Sequence, residues 1–166
     1  MAKVLFIKRE HLVENSVISG NVDSDKILPF IEIAQEIHIQ SYLGSKLYDK
    51  LKADIVADTL TADYTTILDD YIQPMLIHFA MGEYLPHSAY TIGNGGAYKH
   101  TSENSVPMEQ SEIDMLSNKH RDIAEHYGRR FVDYMSFNTN KYPEYFSNNN
   151  DDMQPQKDAY YGGWNI

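Results

Sequence analysis

The sequence contains no cysteine among its 166 residues. Without thiols the chain cannot form disulfides, a thiolate zinc or iron–sulfur site, or a cysteine nucleophile. Basic residues are also scarce, because 14 Lys and Arg stand against 24 Asp and Glu for a formal net charge of −10. A protein that coats DNA or RNA needs basic residues that displace counterions from the phosphates. The composition therefore excludes thiol chemistry and argues against a nucleic-acid coat.

Long hydrophobic runs are missing as well. No apolar stretch approaches the ~20 residues that a helix needs to cross a bilayer. The apolar run at residues 4–7 is too short for a secretory signal. We therefore expect a protein of a reducing compartment with no membrane partner. Its length favours one domain with a single core.

Tyrosine is the residue type in excess, with 13 copies beside one Trp and six Phe. The tyrosine ring is amphipathic and common in protein interfaces. This excess is a first indication of contact surfaces.

Apolar residues recur every three or four positions through most of the first 137 residues, which is the helical period. We expect Gly44 to end the first helix as a left-handed C-cap, and Thr61 to act as an N-cap. The predicted helices run to about Leu43, from there to near Asp58, from Thr61 through a kink at Pro74 to about Pro86, and from about Met108 to Ser136. The prediction is an all-α bundle of four to five helices.

Three segments do not follow the helical period. Residues 4–7 could pair as a strand or dock as an arm. Residues 91–107 are rich in Gly, Asn and Ser, which indicates a loop or a small hairpin. From Asn138 onward the chain is rich in Asn, Asp, Gln and Gly. We therefore divide the chain into a helical domain with an N-terminal arm, residues 1–137, and an extended C-terminal arm, residues 138–166.

The end of the polar C-terminal segment is unexpectedly apolar. A tail that serves only solvation would not normally finish with three aromatic residues and an isoleucine. We expect these side chains to be anchors that insert into a pocket on a partner. They are Tyr160, Tyr161, Trp164 and Ile166.

Residues capable of chemistry do not form a recognisable site. No two of the seven histidines lie three or four positions apart, the spacing that lets a helix present two metal ligands together. Asp69 and Asp70 point about 100° apart on a helix and cannot readily converge on one atom. The glycines at residues 93–96 lack the preceding strand and the Lys-Ser/Thr ending of a phosphate-binding loop. We expect no catalytic residue, metal or cofactor.

Two alternatives remain open at this point. The first is a small helical enzyme, such as a metal-dependent hydrolase that uses His78, His87 or Asp69. The second is a host-side adaptor that binds one partner through its tail.

Several short segments carry a further signal through their order and spacing. The first is the run from Asp23 to Leu51, which includes Ala34, Gln35, Ile37, Leu43, Gly44, Leu47 and Tyr48. The next are Asp70, Tyr71, Ile72, Pro74 and Leu76, then Glu83, Tyr84, Leu85 and Pro86, and then the glycine-containing loop near residues 92–96. The last are Tyr142, Pro143, Glu144 and Tyr145, and the closing Gly162, Gly163, Trp164, Asn165 and Ile166. Together they resemble head-to-tail connector (adaptor or ring) proteins of tailed bacteriophages. The resemblance is closest to ring proteins of crAss-like phages that infect Bacteroidetes.

The resemblance implies a structural virion protein rather than an enzyme. Such proteins form a homo-oligomeric ring, commonly of twelve subunits, beneath the portal protein. The ring extends the DNA channel, joins capsid to tail at the neck, and contacts the next tail or ring component. The implied location is the virion, assembled in the bacterial cytoplasm, with DNA only as passing cargo. We expect the loop of Gly93, Asn94, Gly95 and Gly96 to project into the channel or onto an adjoining ring.

Overall fold

Helices make up most of the structure, and one small hairpin stands between the last two long helices. The computed structural model describes residues 3–18, 22–93, 96–99, 108–147 and 152–157. The elements are α1 (Arg9–Glu14), α2 (Ser24–Ala34), a π-helical segment (Gln35–Ile39), α3 (Gln40–Ala57), α4 (Ala62–Ile67), a second π-helical segment (Leu68–Ile72), α5 (Gln73–Ser88), strands β1 (Tyr90–Gly93) and β2 (Gly96–Lys99), α6 (Gln110–Phe137) and α7 (Pro143–Phe146). The predicted all-α bundle is confirmed, and the Gly-rich stretch contains a small hairpin.

Helix α5 lies at the centre of the bundle, between α2 and α6. Its residues 75–77 and 79–82 are all buried. Small residues allow α6 to approach closely, since the Ser117 hydroxyl donates to the Gly82 carbonyl at 2.7 Å. Helix α6 buries one narrow stripe, formed by Ile113, Ser117, Ala124, Gly128, Phe131, Val132 and Met135. The rest of this 28-residue helix is more exposed.

The second π-helical segment lies where a proline interrupts the helical pattern of the sequence. A proline in a helix interior removes one backbone donor and crowds the preceding turn. The segment Leu68–Ile72 ends just before Pro74, so this proline stands in the first turn of α5. The interruption expected at Pro74 is thus a widened helical turn rather than a loop.

The N-terminal residues 4–7 dock as an arm, one of the two alternatives that the sequence left open. Phe6 and Ile7 are buried in the core. The buried Gln35 side chain accepts a hydrogen bond from the Phe6 amide at 2.7 Å and donates to the Val4 carbonyl at 2.9 Å. Gln35 thus binds two main-chain groups of the arm, and the Gln73 side-chain amide binds a third, the Phe6 carbonyl, at 3.3 Å.

The C-terminal region enters the core where we expected it to be extended. Tyr142 and Tyr145 are almost completely buried around the short helix α7. The Tyr142 ring packs edge-on against Tyr64, and the Tyr145 ring edge-on against Phe131. Tyr142 precedes this one-turn helix and Tyr145 lies in it, so the two rings leave no periodic pattern, and the polar composition made the stretch look extended. Of the residues described after α7, 152–157 form neither helix nor strand.

Candidate functional site

The predicted site residues fall mostly at the edge of the described structure. Gly93 and Gly96 pair at the end of the β1–β2 hairpin, while Asn94 and Gly95 lie outside the described residues. The base of the hairpin is joined to α6, because the Tyr90 hydroxyl donates to Gln110 Oε1 at 2.8 Å. Projection of this loop into a channel stays a prediction.

The four C-terminal anchors, Tyr160, Tyr161, Trp164 and Ile166, also lie outside the described residues. Their role in partner binding therefore stays a prediction. The described chain nearest to them is residues 152–157, which we call the docked segment.

The docked segment binds at a break in α3. Gly44 has φ 70° and ψ 158°, so the helix stops and restarts at this residue. Gly44 ends the first helix with a positive φ, as the sequence predicts, but its ψ of 158° is extended, so the left-handed helical cap expected there is not formed. A Cβ atom built on Gly44 would lie 2.6 Å from the Pro155 Cδ atom, so the contact needs glycine here. The Ser45 amide donates to the Met153 carbonyl at 2.9 Å, and the Gln156 amide donates to the Ser41 carbonyl at 3.0 Å.

A cleft of about 500 Å³ opens beside the docked segment, between the first π-helical segment, α5 and α6. His38 Nε2 lies 3.0 Å from Glu83 Oε1, and the His38 ring stacks on Phe79 at 4.1 Å. Arg121 approaches the same carboxylate at 3.6 Å. Gln156 contributes one wall of this cleft. The Glu83 carboxylate is thus bound from two sides, by His38 and by Arg121.

Tyr42 lines the same cleft and packs tightly against α6. A Cβ atom on Gly128 would lie 2.5 Å from the Tyr42 ring. Burial raises the pKa of the Tyr42 hydroxyl, and the nearby Glu125 carboxylate raises it further. Like any phenol with a pKa of 10 or above, the Tyr42 side chain is protonated near neutral pH.

Two histidines that are distant in sequence meet between α5 and α6. His78 Nδ1 lies 3.0 Å from His120 Nδ1. Burial lowers the pKa of both imidazoles, and the charge of His120 lowers that of His78 further. At neutral pH one ring donates and the other accepts. Helical spacing could not reveal this pair, because its members lie on different helices.

The His78 side of the molecule also carries a second cleft of about 380 Å³, which His11 and Asp69 help to line. Three or more His, Cys, Asp or Glu side chains would be expected around a tightly held metal ion. Within the described ranges no such group of three converges. Nor does any helix there combine the length and apolar character needed to cross a membrane.

Exposed apolar side chains lie near both ends of α6. Met115 is 65 % exposed in the N-terminal part of the helix, with Leu116 next to it. Phe137, the last residue of the helix, is 85 % exposed. We call these two places, Met115 with Leu116 and Phe137, the apolar patches of α6 and treat them as candidate contact residues.

Comparison with known proteins assigns a family but no activity. A family model described as a family of unknown function, DUF6712, matches residues 39–153. The chain belongs to this family. The DUF6712 match includes the Gly44 break, α5, α6, α7 and the start of the docked segment, whereas the N-terminal arm lies before it. No curated protein and no solved structure matches the chain.

Proposed function

We propose that this chain is the subunit of a structural ring in the neck of a tailed-phage virion. The ring lies beneath the portal, extends the DNA channel and joins capsid to tail. The kind of particle is suggested by the sequence resemblance, which runs through most of the chain. The ring itself is suggested by where the exposed apolar side chains lie.

The observation that carries the proposal is the separation of two apolar patches along α6. Met115 and Phe137 are 22 positions apart (137 − 115), which corresponds to about 33 Å along a helix that rises 1.5 Å per residue. A closed ring needs heterologous contacts, in which one surface of a subunit binds a different surface of its neighbour. Two separate patches on one rigid helix fit that requirement.

The charge of the chain supports the same role. Packaged DNA must pass through a neck ring without adhering to its wall. An excess of ten acidic charges disfavours adsorption of the phosphate backbone. This argument concerns DNA as cargo and not as a bound ligand.

The proposal is tested by native mass spectrometry of the full-length chain, alone and mixed with the portal protein of the same phage. We expect a closed oligomer of the chain, at the latest when portal is present. A chain that neither oligomerises nor binds portal at any concentration tested would overturn the proposal.

Two charge variants test whether the ring contact is heterologous. Met115→Asp and Phe137→Asp should each prevent ring closure, because each removes one of the two patches. Mixing the two variants should restore one intact contact and produce a heterodimer. Val17→Asp is the matched control, because Val17 is 86 % exposed and lies outside α6. Homodimers in either single variant would instead indicate a self-complementary contact.

A further inference from the structure

Because of the break in α3, one main-chain hydrogen bond of the helix is not formed. In an unbroken α-helix the Ser45 amide would donate to the Ser41 carbonyl, four residues earlier. The extended ψ of Gly44 separates these two groups. Each is instead bound by the docked segment, Ser45 by the Met153 carbonyl and Ser41 by the Gln156 amide. The segment thus enters the helix ladder and replaces the missing bond with two bonds of its own.

Further contacts fix the register of the docked segment. The Ser45 hydroxyl donates to Asp152 Oδ2 at 2.6 Å and accepts from the Met153 amide at 3.2 Å. The Tyr145 hydroxyl donates to the Gln156 carbonyl at 2.8 Å. Between these bonds, Pro155 packs on the bare backbone of Gly44. The break is therefore shaped to receive an extended segment that carries a proline at one position.

The segment is held by polar contacts and buries little apolar surface. Of its six residues only Pro155 is partly buried, and the other five are exposed. Apolar burial is the main source of stability for a docked element, and ordering a chain segment costs conformational entropy. A segment fastened mainly by hydrogen bonds near the surface is expected to open locally long before the core unfolds.

We propose that the Gly44 break is a docking site for an extended proline-containing segment, and that a second copy of this chain supplies the segment. Every contact named above is made to α3 or α7, which each copy carries. The same contacts therefore form between two chains at no loss of interaction, as in domain swapping. The inference rests on the proposed function only in that a ring holds neighbouring copies close together.

The length of the connection limits how far the segment reaches. Five peptide units join Ser147 to Asp152, which span at most about 17 Å when fully extended. The docking site of a neighbour must therefore lie within that distance of Ser147. Copies held side to side in an oligomer provide this proximity and raise the effective concentration of the segment.

Cross-linking between two singly substituted chains tests the exchange. The chain has no cysteine, so an introduced thiol is the only one present. Ser41→Cys and Gln156→Cys alter positions whose main-chain groups bind each other. One variant is labelled with ¹⁵N, the two are mixed, and a short bismaleimide is added. We expect heterodimers to exceed each kind of homodimer at least fivefold in intact mass spectra.

Matched variants show whether the product depends on the break. Adding Gly44→Ala to the Ser41→Cys chain should abolish the excess of heterodimer, because a Cβ atom there collides with Pro155. Adding Ala53→Ser instead, at an exposed position of the same helix, should leave the excess unchanged. If the Ser41→Cys/Gln156→Cys double variant links only within one chain and the mixture yields no excess of heterodimer, the exchange between copies is overturned.

A measurement on the unsubstituted chain keeps the inference testable if a variant fails to fold. Docking between copies predicts that hydrogen-exchange protection of the Ser45 and Gln156 amides rises with protein concentration. Protection that is independent of concentration contradicts it. This result is separate from the ring assay, since the segment can exchange in a simple dimer that never binds a portal.

Discussion

The two terminal segments of this protein dock on the same stretch of helix in different ways. The N-terminal arm binds at Gln35, where its Phe6 and Ile7 side chains enter the core. The docked segment binds about nine residues further on, at Gly44, and leaves most of its side chains in solvent. Both bind where the α-helix is irregular, the first at a π-helical turn and the second at a break.

The difference separates a permanent element from an exchangeable one. Buried aromatic and aliphatic side chains make the N-terminal arm part of the hydrophobic core. The docked segment relies on main-chain and hydroxyl hydrogen bonds, whose net contribution is small because water competes for the same groups. Only the second kind of contact can be transferred to a neighbouring chain without unfolding the bundle.

The largest expected effect comes from removing the arm's aromatic anchor. Phe6 is 3 % exposed and packs edge-on against Tyr48. Phe6→Ala should lower the free energy of unfolding by about 3–5 kcal/mol, since it leaves a cavity in the core. Urea denaturation followed by circular dichroism measures this. Met153→Ala on the docked segment, at a residue 38 % exposed, should change stability by no more than about 0.5 kcal/mol. If Phe6→Ala and Met153→Ala lowered the free energy of unfolding equally, the proposed difference between the two segments would be contradicted.

The next effect concerns the glutamine that binds the arm's backbone. Gln35 is buried and bonds to the Phe6 amide, the Val4 carbonyl and the Tyr48 hydroxyl. Gln35→Ala should cost about 1–3 kcal/mol, because the Phe6 amide is left buried without an acceptor. Hydrogen exchange at the Phe6 amide should accelerate in parallel. The exposed Gln110 is the control, and a comparable loss in Gln110→Ala would contradict the explanation.

A smaller and local effect is expected at the docked segment. Tyr145→Phe keeps the ring against Phe131 but removes the hydroxyl that binds the Gln156 carbonyl. Global stability should fall by about 1 kcal/mol, and amide exchange should increase in residues 152–157. Tyr142→Phe is the matched control, since its hydroxyl binds the Asp63 carbonyl instead. Increased exchange of residues 152–157 in the control as well would show that the hydroxyl of Tyr145 is not what fastens the segment.

The smallest effect is expected from mild acid, on the side of the molecule that carries the N-terminal arm. His78 shares a cleft with Gln73, whose amide donates to the Phe6 carbonyl. Burial lowers the pKa of His78 and His120 below the ordinary value of 6.5. The unfolded chain therefore binds more protons than the folded chain in this range, and stability should fall as pH drops below 6.5.

The pH dependence can be assigned to the pair with two variants on one helix. Urea denaturation between pH 7.5 and pH 5 should show a shallower decline in His120→Gln, because that variant lacks one of the two groups. His126→Gln, at an exposed histidine of α6, should retain the decline of the unsubstituted chain. An unchanged decline in His120→Gln would show that other groups govern the acid response.

Most of the helical framework could be predicted because it depends on local pattern. Apolar residues at helical spacing located the helices, and Gly44 was recognised through the backbone freedom that only glycine has. The last helix, predicted from about Met108 to Ser136, runs from Gln110 to Phe137. The site was less predictable. His78 and His120 lie 42 positions apart in sequence, on two different helices, and nothing local signals their contact.

The sequence by itself determined the long helices, the net negative charge and the absence of thiol chemistry, since each follows from composition or from neighbours along the chain. Only the tertiary structure decided that the N-terminal arm docks at the π-helical segment and that residues 152–157 dock at the Gly44 break. It placed Tyr142 and Tyr145 in the core although their surroundings in sequence are polar. It also joined residues 152–157 to a helix break more than a hundred positions earlier. Such contacts depend on which unpaired groups and surfaces the folded bundle leaves available, and that is a property of packing rather than of local sequence.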